Sequence, residues 1–365
     1  MKGKLLLLTT KALFISSAIF AQTETETEEP KGELQINGSV DAYYRYNFAN
    51  AKSLEETNNL TSFTNSQNSI ELGMASLKAS YTKGKAGVVV DLGFGTRARE
   101  FSYAEEPDGF GNGSAILQAI KQAYVVYNPT DNLRISAGKW GTHLGYEVLD
   151  PQLNRNYSMS YMFSYGPFSH TGLKIDYNIG GGFGVMAGVT NPTDILSASF
   201  AKKNVIAQVS KTSETVNAYL NYVGGKTLSG ENHNQLGLTA TGKISEMFSL
   251  GYDGTVKVID PVGGGSGKWW GSALYVNVDP TEKFGITLRG EYFDDKDRGF
   301  LFTNEDGNGT SLMQATLSFN IKPVSGLTFI PEFRFDNAKD PFFYKNDGSL
   351  TKSTGSFLLA AVYSF

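Results

Sequence analysis

The stretch ELQINGSVDAYYRYNF, residues 33–48, decides the fold because apolar and polar side chains alternate along it. One face carries Leu34, Ile36, Gly38, Val40, Ala42, Tyr44, Tyr46 and Phe48. The other face carries Gln35, Asn37, Ser39, Asp41, Tyr43, Arg45 and Asn47. A period of two is the side-chain repeat of a β-strand, and this run is longer than most strands of soluble domains. One apolar and one polar face over such a length are typical of a transmembrane barrel wall around a wet lumen.

The same alternation recurs to the end of the chain. It is clear at 86–95, 173–177, 248–258, 284–292, 313–321 and 327–335. A change of phase between Met74 and Leu77 predicts a β-bulge, residues 115–127 fit either phase, and the strand near 204–210 is the weakest.

Short and long connections follow one another in turn. Short turns rich in Gly, Pro, Asp and Asn lie at 82–85, 128–132, 178–181, 210–214, 243–247, 279–283 and 322–326. Longer polar segments lie at 49–68, 99–114, 142–168, 191–203, 224–233, 260–268, 295–310 and 337–355. This order predicts an all-β fold: a transmembrane, antiparallel, up-and-down β-barrel of about sixteen strands over residues 34–365, with short periplasmic turns and long extracellular loops.

The N-terminus is predicted to be an export signal. Lys2 and Lys4 precede an apolar run, and residues 1–21 fit a secretory signal peptide cleaved after Ala21. A transmembrane anchor is the alternative, but the run is too short and is interrupted by Lys11. Residues 22–33 are acidic and of low complexity, which predicts a disordered segment.

Composition excludes several classes of protein. The net charge of -4 gives no electrostatic case for binding nucleic acid, and with no Cys there is no disulfide framework.

Aromatic residues fall at predicted strand ends, as in the two interfacial girdles of membrane barrels. They are Phe48, Phe94, Tyr292 and Phe335 near the outer rim, and Tyr127, Tyr177, Phe248, Phe284 and Phe365 near the inner rim.

The chain ends in SFLLAAVYSF, in which Tyr363 and Phe365 share the apolar face. A terminal Phe with an aromatic residue two places before it looks like the signal read by the barrel-assembly machinery. The expected location is therefore the outer membrane of a Gram-negative bacterium, in contact with lipid and lipopolysaccharide.

Residues for enzyme chemistry are sparse. His143, His170 and His233 are far apart in sequence and favour ordinary loop or strand-end histidines, although His143 and His170 flank the third long loop and could meet. GGGSGK at 263–268 falls short of a phosphate loop because Trp269 stands where Ser or Thr is needed. DDKDRG at 294–299 has acid spacing that suits Ca²⁺, but a solvated loop is favoured. We expect no enzyme, no cofactor and no metal.

Charged residues at inward positions predict the lining of the lumen. They carry both signs: Asp41, Arg45, Asp91, Arg134, Lys174, Asp176, Asp253, Lys257, Arg289, Glu291, Glu332 and Arg334. On the lipid face each would cost roughly 2–4 kcal/mol at the midplane, so they are expected to face a lumen. Mixed signs predict a pore with weak ion selectivity. The alternative is a plugged barrel whose inner charges only pair with one another.

The longest loop, 142–168, is the third on the outer side. In trimeric general porins the third loop folds into the barrel, and by that analogy residues 146–165 are expected to constrict the lumen. Glu147, Asp150 and Arg155 are the candidate constriction residues.

The sequence resembles the OmpL-like β-barrel outer-membrane porin family. The resemblance rests on GSVDAYYRYNF at 38–48, LGMASLKASY at 72–81, VDLGFGTRARE at 90–100, QAYVVYNPTDNLRISAGKWGTHLGYE at 122–147, GEYF at 290–293 and the terminal Phe365. It implies a single-domain porin-like barrel without catalytic residues. The leading hypothesis is a porin for passive diffusion of small hydrophilic solutes or ions. A closed structural or accessory subunit of a larger outer-membrane complex is the alternative, and homo-oligomers remain open.

Overall fold

The computed structural model describes residues 31–105 and 116–365. The predicted signal peptide, 1–21, and most of the acidic segment, 22–33, lie outside the described residues. The strands are β1 (Glu33–Asn47), β2 (Ser69–Lys83), β3 (Ala86–Phe94), β4 (Ile120–Thr130), β5 (Leu133–Gly141), β6 (Ser169–Gly180), β7 (Phe183–Thr190), β8 (Asn204–Thr212), β9 (Val216–Lys226), β10 (Asn232–Lys243), β11 (Phe248–Asp260), β12 (Gly267–Thr281), β13 (Phe284–Asp294), β14 (Ser311–Val324), β15 (Leu327–Ala338), β16 (Phe343–Tyr344), β17 (Leu350–Thr351) and β18 (Ser353–Ser364). Two short α-helices are α1 (Thr96–Phe101) and α2 (Tyr161–Tyr165), and 3₁₀ turns lie at Leu54–Glu56, Tyr103–Glu105, Leu117–Ala119 and Pro151–Leu153.

Sixteen strands of the described residues, β1 to β15 and β18, close into one antiparallel barrel. Each strand pairs with its neighbours in the chain, and β18 pairs with both β15 and β1. β16 and β17 form a small separate hairpin in the last outer loop. The predicted up-and-down barrel of sixteen strands is therefore confirmed, and the weakest predicted strand is β8.

The barrel closes where the two ends of the chain meet. Val40 of β1 lies opposite Tyr363 of β18. The amide of Phe365 donates to the carbonyl of Gly38 at 3.0 Å, and the amide of Gly38 donates back at 3.1 Å. A Cβ at position 38 would lie 2.5 Å from the Phe365 ring, so glycine there lets that ring lie against the seam. Closure leaves no free strand edge in the bilayer, where unpaired backbone groups are costly.

The tight connections follow from turn chemistry. Ser325 and Gly326 form a two-residue link between β14 and β15, and Gly326 adopts φ +81°, which a glycine tolerates best. The amide of Ser364 donates to the carbonyl of Gly326 at 2.9 Å, so this turn also fixes the end of β18.

The two faces of the wall differ as the alternation predicts. On β1, Val40 is 50% exposed, whereas Asp41 is 1% exposed and Asn47 is fully buried. Aromatic residues at both rims are exposed on the outer face, among them Phe48, Phe94, Phe335, Tyr127, Tyr177 and Phe365. The apolar face is thus the one available to lipid. No helix in residues 31–105 or 116–365 has the length and apolarity needed to span a membrane.

The irregularity of β2 lies slightly earlier than predicted. Asp41 pairs with Met74 and Ala42 pairs with Leu72, which leaves Gly73 as the extra residue of the bulge. A Cβ on Gly73 would overlap the Asp41 carboxylate. The bulge therefore occupies the residue that can approach the inward carboxylate, one position before the predicted 74–77 interval.

Candidate functional site

The charged residues predicted for the lumen lie on the inner face, but they differ in exposure. Eight are buried: Asp41, Arg45, Asp91, Asp253, Arg289, Glu291, Glu332 and Arg334. Lys174, Asp176 and Lys257 are half-buried, and Arg134 is exposed. The sequence places opposite charges two residues apart at Lys174/Asp176, Arg289/Glu291 and Glu332/Arg334, and of these three only Lys174 and Asp176 form an ion pair, at 3.1 Å. Six of the other charges contact the third outer loop: Asp41, Asp253, Arg289, Glu291, Glu332 and Arg334. Arg45 donates to carbonyls of the first outer loop, and Asp91 pairs with Lys121.

The third outer loop, residues 142–168, contacts inward-facing side chains of the wall at three ion pairs. Glu147 accepts from Arg289 of β13 at 2.5 Å. Asp150 pairs with Lys121 of β4. Arg155 pairs with Asp279 of β12 at 2.6 Å. β4 and β12 are eight places apart in the ring of sixteen strands, so residues 150–155 connect opposite sides of the wall.

Wall carboxylates also bind the backbone of this loop. The two oxygens of Glu291 accept the amides of Tyr161 and Met162, each at 2.8 Å. Glu332 accepts the amide of Tyr157 at 3.0 Å. Irregular backbone away from water needs such partners, because an unpaired buried amide costs about as much as a lost hydrogen bond.

Wall arginines complement these carboxylates by donating to loop carbonyls. Arg289 donates to Ser158 O at 2.7 Å, and Arg334 donates to Met159 O at 2.7 Å while pairing with Asp336 at 2.8 Å. Together, the acids and bases hold the loop through its main chain as well as through side chains.

Aromatic and apolar packing completes the attachment on the β12–β15 side. Tyr161 and Met162 of α2 pack with Trp269, Phe293 and Leu312 of the wall in one buried cluster. The Tyr161 hydroxyl donates to Asp336 at 2.6 Å. Ser160 caps α2, since its Oγ accepts the amide of Phe163 at 3.1 Å.

Three cavities lie beside β11, and the outer and middle ones share lining residues. The outer cavity, of about 640 Å³, is lined by Lys257 and by Gly166 and Pro167 of the third outer loop. A small cavity of about 10 Å³ shares Gly166 and Pro167 and adds Leu144, Gly145, Met162, Gln235, Asp253 and Thr255. An inner cavity of about 370 Å³ is lined by Tyr146, Arg155, Ser249 and Asp279.

The small middle cavity is called the waist below. Its volume is about that of one water molecule. On β11, Lys257, Thr255, Asp253 and Ser249 follow one another on the inward face from the outer cavity through the waist to the inner cavity. The amide of Tyr146 donates to Asp253 at 3.1 Å and so fixes the loop against the wall at this level.

The three histidines lie near this outer region. The rings of His143 and His170 are 5.2 Å apart between centroids, and His233 lines the outer cavity. Each ring uses Nε2 for a hydrogen bond, to Tyr222 O, Thr142 Oγ1 and Asn204 Nδ2 respectively. Burial lowers the pKa of His143 to about 4. No group of three or more His, Cys, Asp or Glu in residues 31–105 and 116–365 is arranged to hold a metal ion.

The acidic loop at 294–299 uses its carboxylates internally. Asp295 accepts the amides of Leu301 and Phe302, both at 2.7 Å, and Lys296 pairs with Asp294 at 2.7 Å. Gly267 of the GGGSGK stretch already belongs to β12.

Several residues of this region were not predicted from the sequence. Lys121 lies in the stretch whose alternation fits both phases, because pairing slips between Asp91 and Leu92 where β4 begins. Asp279 falls in a segment predicted to be a periplasmic turn, but β12 continues to Thr281. Leu144 and Gly145 precede the predicted constriction. Apolar residues in a polar loop carry no sequence signal for a narrow passage.

Comparison with known proteins places the chain among outer-membrane barrels. A family model described as "Putative beta-barrel porin-2, OmpL-like" matches residues 33–365. No curated protein matches the chain.

Solved structures share the fold at low sequence identity. OmpT of Vibrio cholerae is 13% identical, with 93% of this chain and 100% of that one covered and a TM-score of 0.59. An anion-selective porin from Comamonas acidovorans is 12% identical, with coverage of 92% and 100% and a TM-score of 0.59. The outer-membrane channel DcaP of Acinetobacter baumannii is 14% identical, with coverage of 95% and 100% and a TM-score of 0.59.

Proposed function

The chain belongs to the OmpL-like β-barrel porin-2 family, and from this premise we propose that it is a channel for passive diffusion of small hydrophilic solutes or ions, narrowed by the third outer loop. The family is one of outer-membrane β-barrel porins of Gram-negative bacteria, and barrels of the same fold include porins. The observation that carries the proposal is the set of three cavities beside β11, whose lining residues on that strand run from Lys257 through Thr255 and Asp253 to Ser249.

The narrowing is assigned to residues 146–165 with the flanking Leu144 and Gly145. Glu147, Asp150 and Arg155 act as anchors, since each is paired with a wall residue of opposite charge. The side chains that limit the passage are those at the waist, chiefly Leu144 and Met162. A solute larger than water passes only when these side chains shift, and the flexible thioether of Met162 suits such a movement.

Weak ion selectivity is the expected electrical property. Arg155 and Asp279 both line the inner cavity and are both partly exposed, so cations and anions each meet an opposite charge there. Arg134 and the Lys174–Asp176 pair are further inward charges of both signs.

A closed accessory barrel is the second candidate, favoured by one observation. The waist holds about one water, and the inward residues Asp253 and Gln235 beside it are buried. In that case the chain would serve a larger outer-membrane assembly. A homo-oligomer is compatible with either candidate, as one similar barrel is described in a trimer form.

Liposome swelling separates the two candidates. Purified full-length protein is reconstituted into liposomes, which are diluted into isotonic arabinose, sucrose or stachyose. The channel predicts swelling that falls steeply from the pentose to the tetrasaccharide, because the waist limits passage. Absence of swelling in all three sugars, with correctly folded barrel in the liposomes, would establish the closed alternative. Protein-free liposomes and heat-denatured protein are the controls.

A further inference from the structure

The outer cavity combines carboxylates that accept hydrogen bonds from the protein with two cations that have no bonded partner among the described residues. Its charged lining residues are Arg99, Glu100, Asp194, Glu231 and Lys257, with His233 beside them. They come from α1, the fourth outer loop, the fifth outer loop and β11. A carboxylate that already accepts hydrogen bonds keeps its negative charge but has fewer free lone pairs to offer a ligand.

The three carboxylates are already used by the protein. Asp194 Oδ1 accepts the amides of Phe168 and Ser169, both at 2.7 Å, and Oδ2 accepts the Tyr103 hydroxyl at 3.1 Å. Burial raises the pKa of Asp194, and the hydrogen bonds from Phe168, Ser169 and Tyr103 oppose that rise.

The other two acids are committed in the same way. Glu100 accepts the amide of Phe63 at 2.6 Å. Glu231 accepts the hydroxyls of Ser229 at 3.2 Å and Thr227 at 3.4 Å. These bonds fix the loops around the cavity, so the carboxylates serve structure first.

In the described part of the chain the cations have no bonded partner, although Asp194 and Glu231 attract Lys257 and Glu100 attracts Arg99 electrostatically. Among the residues that the structure describes, neither the Lys257 ammonium nor the Arg99 guanidinium has a hydrogen-bond acceptor or an ion-pair partner within bonding distance. Lys257 is also half-buried, on the inward face of β11. A lysine in this position gains from an incoming anion, because a charge in a partly dry site interacts more strongly than in bulk water.

His233 adds a neutral donor to the same wall. Asn204 accepts the amide of Lys226 on its Oδ1 at 2.9 Å, so its Nδ2 group donates to His233 Nε2 at 3.1 Å. A neutral imidazole with an accepting Nε2 carries its hydrogen on Nδ1. That donor has no partner within the described ranges, although the side chain is only 4% exposed.

The remaining wall is apolar. Tyr165, Phe168, Ile195 and Leu228 line the cavity opposite or beside the charged groups. A volume of about 640 Å³ lies within the range of small-molecule sites, roughly 300–1,000 Å³. The combination of a lysine, an arginine and an apolar wall fits an anion that carries a hydrocarbon or ring portion.

We propose that the outer cavity binds small organic carboxylates, with Lys257 and Arg99 holding the carboxylate and the aromatic side chains holding the apolar part. The proposal rests on the proposed channel function, since Lys257 stands two residues from Thr255 of the waist and the bound anion lies at its outer entrance. The site concentrates this class of solute before passage.

Calorimetric titration of the purified full-length barrel in detergent tests the site. The probes are benzoate, benzyl alcohol, which has the ring without the charge, and acetate, which has the charge without the ring. Benzoate is expected to bind, and benzyl alcohol and acetate at least tenfold more weakly. Lys257→Met should weaken benzoate binding about tenfold or more, the loss expected for a charged hydrogen bond.

Lys202→Met is the matched control, because Lys202 is exposed on the fourth outer loop and does not line the cavity. It should bind benzoate as the wild type does. Arg99→Gln, on the exposed side of α1, is the second variant if Lys257→Met does not fold. Heat-modifiable gel mobility reports folding of each variant.

The outcomes separate the site from the channel. Benzoate that fails to bind, or that binds equally to wild type, Lys257→Met and Arg99→Gln, overturns the site even if liposomes swell with sugars. Lysine-dependent benzoate binding by a barrel that never swells liposomes supports the site and overturns the channel.

Discussion

Replacing Arg289 with methionine tests how the third outer loop is held inside the barrel. The Arg289 side chain is fully buried and pairs with Glu147 at 2.5 Å. It also donates to the carbonyls of Ser158 at 2.7 Å and Met159 at 3.3 Å and to the hydroxyl of Thr316 at 3.1 Å. The substitution keeps an unbranched apolar stem, although a shorter one, and removes every one of these bonds.

The expected cost follows from the burial of the pair. Removing one partner of a buried ion pair typically destabilises by about 3–5 kcal/mol, because the other charge is left uncompensated. Glu147 keeps one bond, from the amide of Ser160 at 2.7 Å, which places the expectation toward the lower end of that range. The strand ladder of β13 is untouched, so the barrel itself should still assemble.

Two assays measure the effect. Urea unfolding from lipid vesicles should show the loss of stability for Arg289→Met, and single-channel recording in planar bilayers should show higher conductance with larger current noise. The double variant Arg289→Met with Glu147→Gln should recover part of the stability, because no unpaired buried charge remains.

Arg298→Met is the control, since Arg298 is exposed on the seventh outer loop. If Arg289→Met equals Arg298→Met in unfolding free energy and in conductance, the pair does not hold the loop and the reasoning is refuted.

Three further predictions follow from single residues. Leu144→Ala should raise conductance because Leu144 lines the waist. Leu149→Ala is the control: Leu149 is similarly buried in the same loop but packs in a different apolar cluster, so the substitution should cost a similar loss of stability, about 2–5 kcal/mol, without raising conductance. Equal conductances of the two variants would show that Leu144 does not limit the passage. Burial lowers the pKa of His143 to about 4, so the stabilisation from neutral His143 should be complete above pH 6.5 and should fall by at most about 3 kcal/mol as the pH drops to 4. In urea unfolding, the stability difference between wild type and His143→Gln should therefore be smaller at pH 4 than at pH 7. A difference that does not change with pH would contradict this. Deleting Phe365 should impair membrane insertion because its backbone pairs with Gly38 at the seam, whereas shortening 23–33 should not; heat-modifiable mobility of outer-membrane fractions measures both, and normal assembly without Phe365 would contradict the role of the seam.

The fold was accessible from sequence because the bilayer imposes a simple code. Lipid on one side of the wall and polar groups on the other require apolar and polar residues to alternate. The faces of Val40 and Asp41 can therefore be predicted without knowing which residues they contact. The number of strands followed from the succession of short turns and long loops, because each of them interrupts the alternation and so separates two strands. The position of the bulge did not follow, since Gly73 is identified only by its approach to Asp41.

The interior of the barrel was predicted less completely. The inward position of Arg289 and Glu291 follows from alternation, but their partners in the third outer loop, more than a hundred residues away, have no local signature. The analogy with the third loop of general porins predicted that residues 146–165 enter the barrel. It could not show that Leu144 and Met162, rather than the charged residues, line the waist, because that depends on how the loop packs.

The most direct test of the account is single-channel conductance of a barrel in which residues 150–160 are replaced by a short Gly-Ser linker, compared with wild type in the same bilayer and salt. These residues include the partners of Lys121, Asp279 and Glu332, so their removal detaches the loop from opposite sides of the wall. The account predicts a low wild-type conductance and a several-fold larger one for the variant. Unchanged conductance in a correctly folded variant would contradict the claim that this loop narrows the channel.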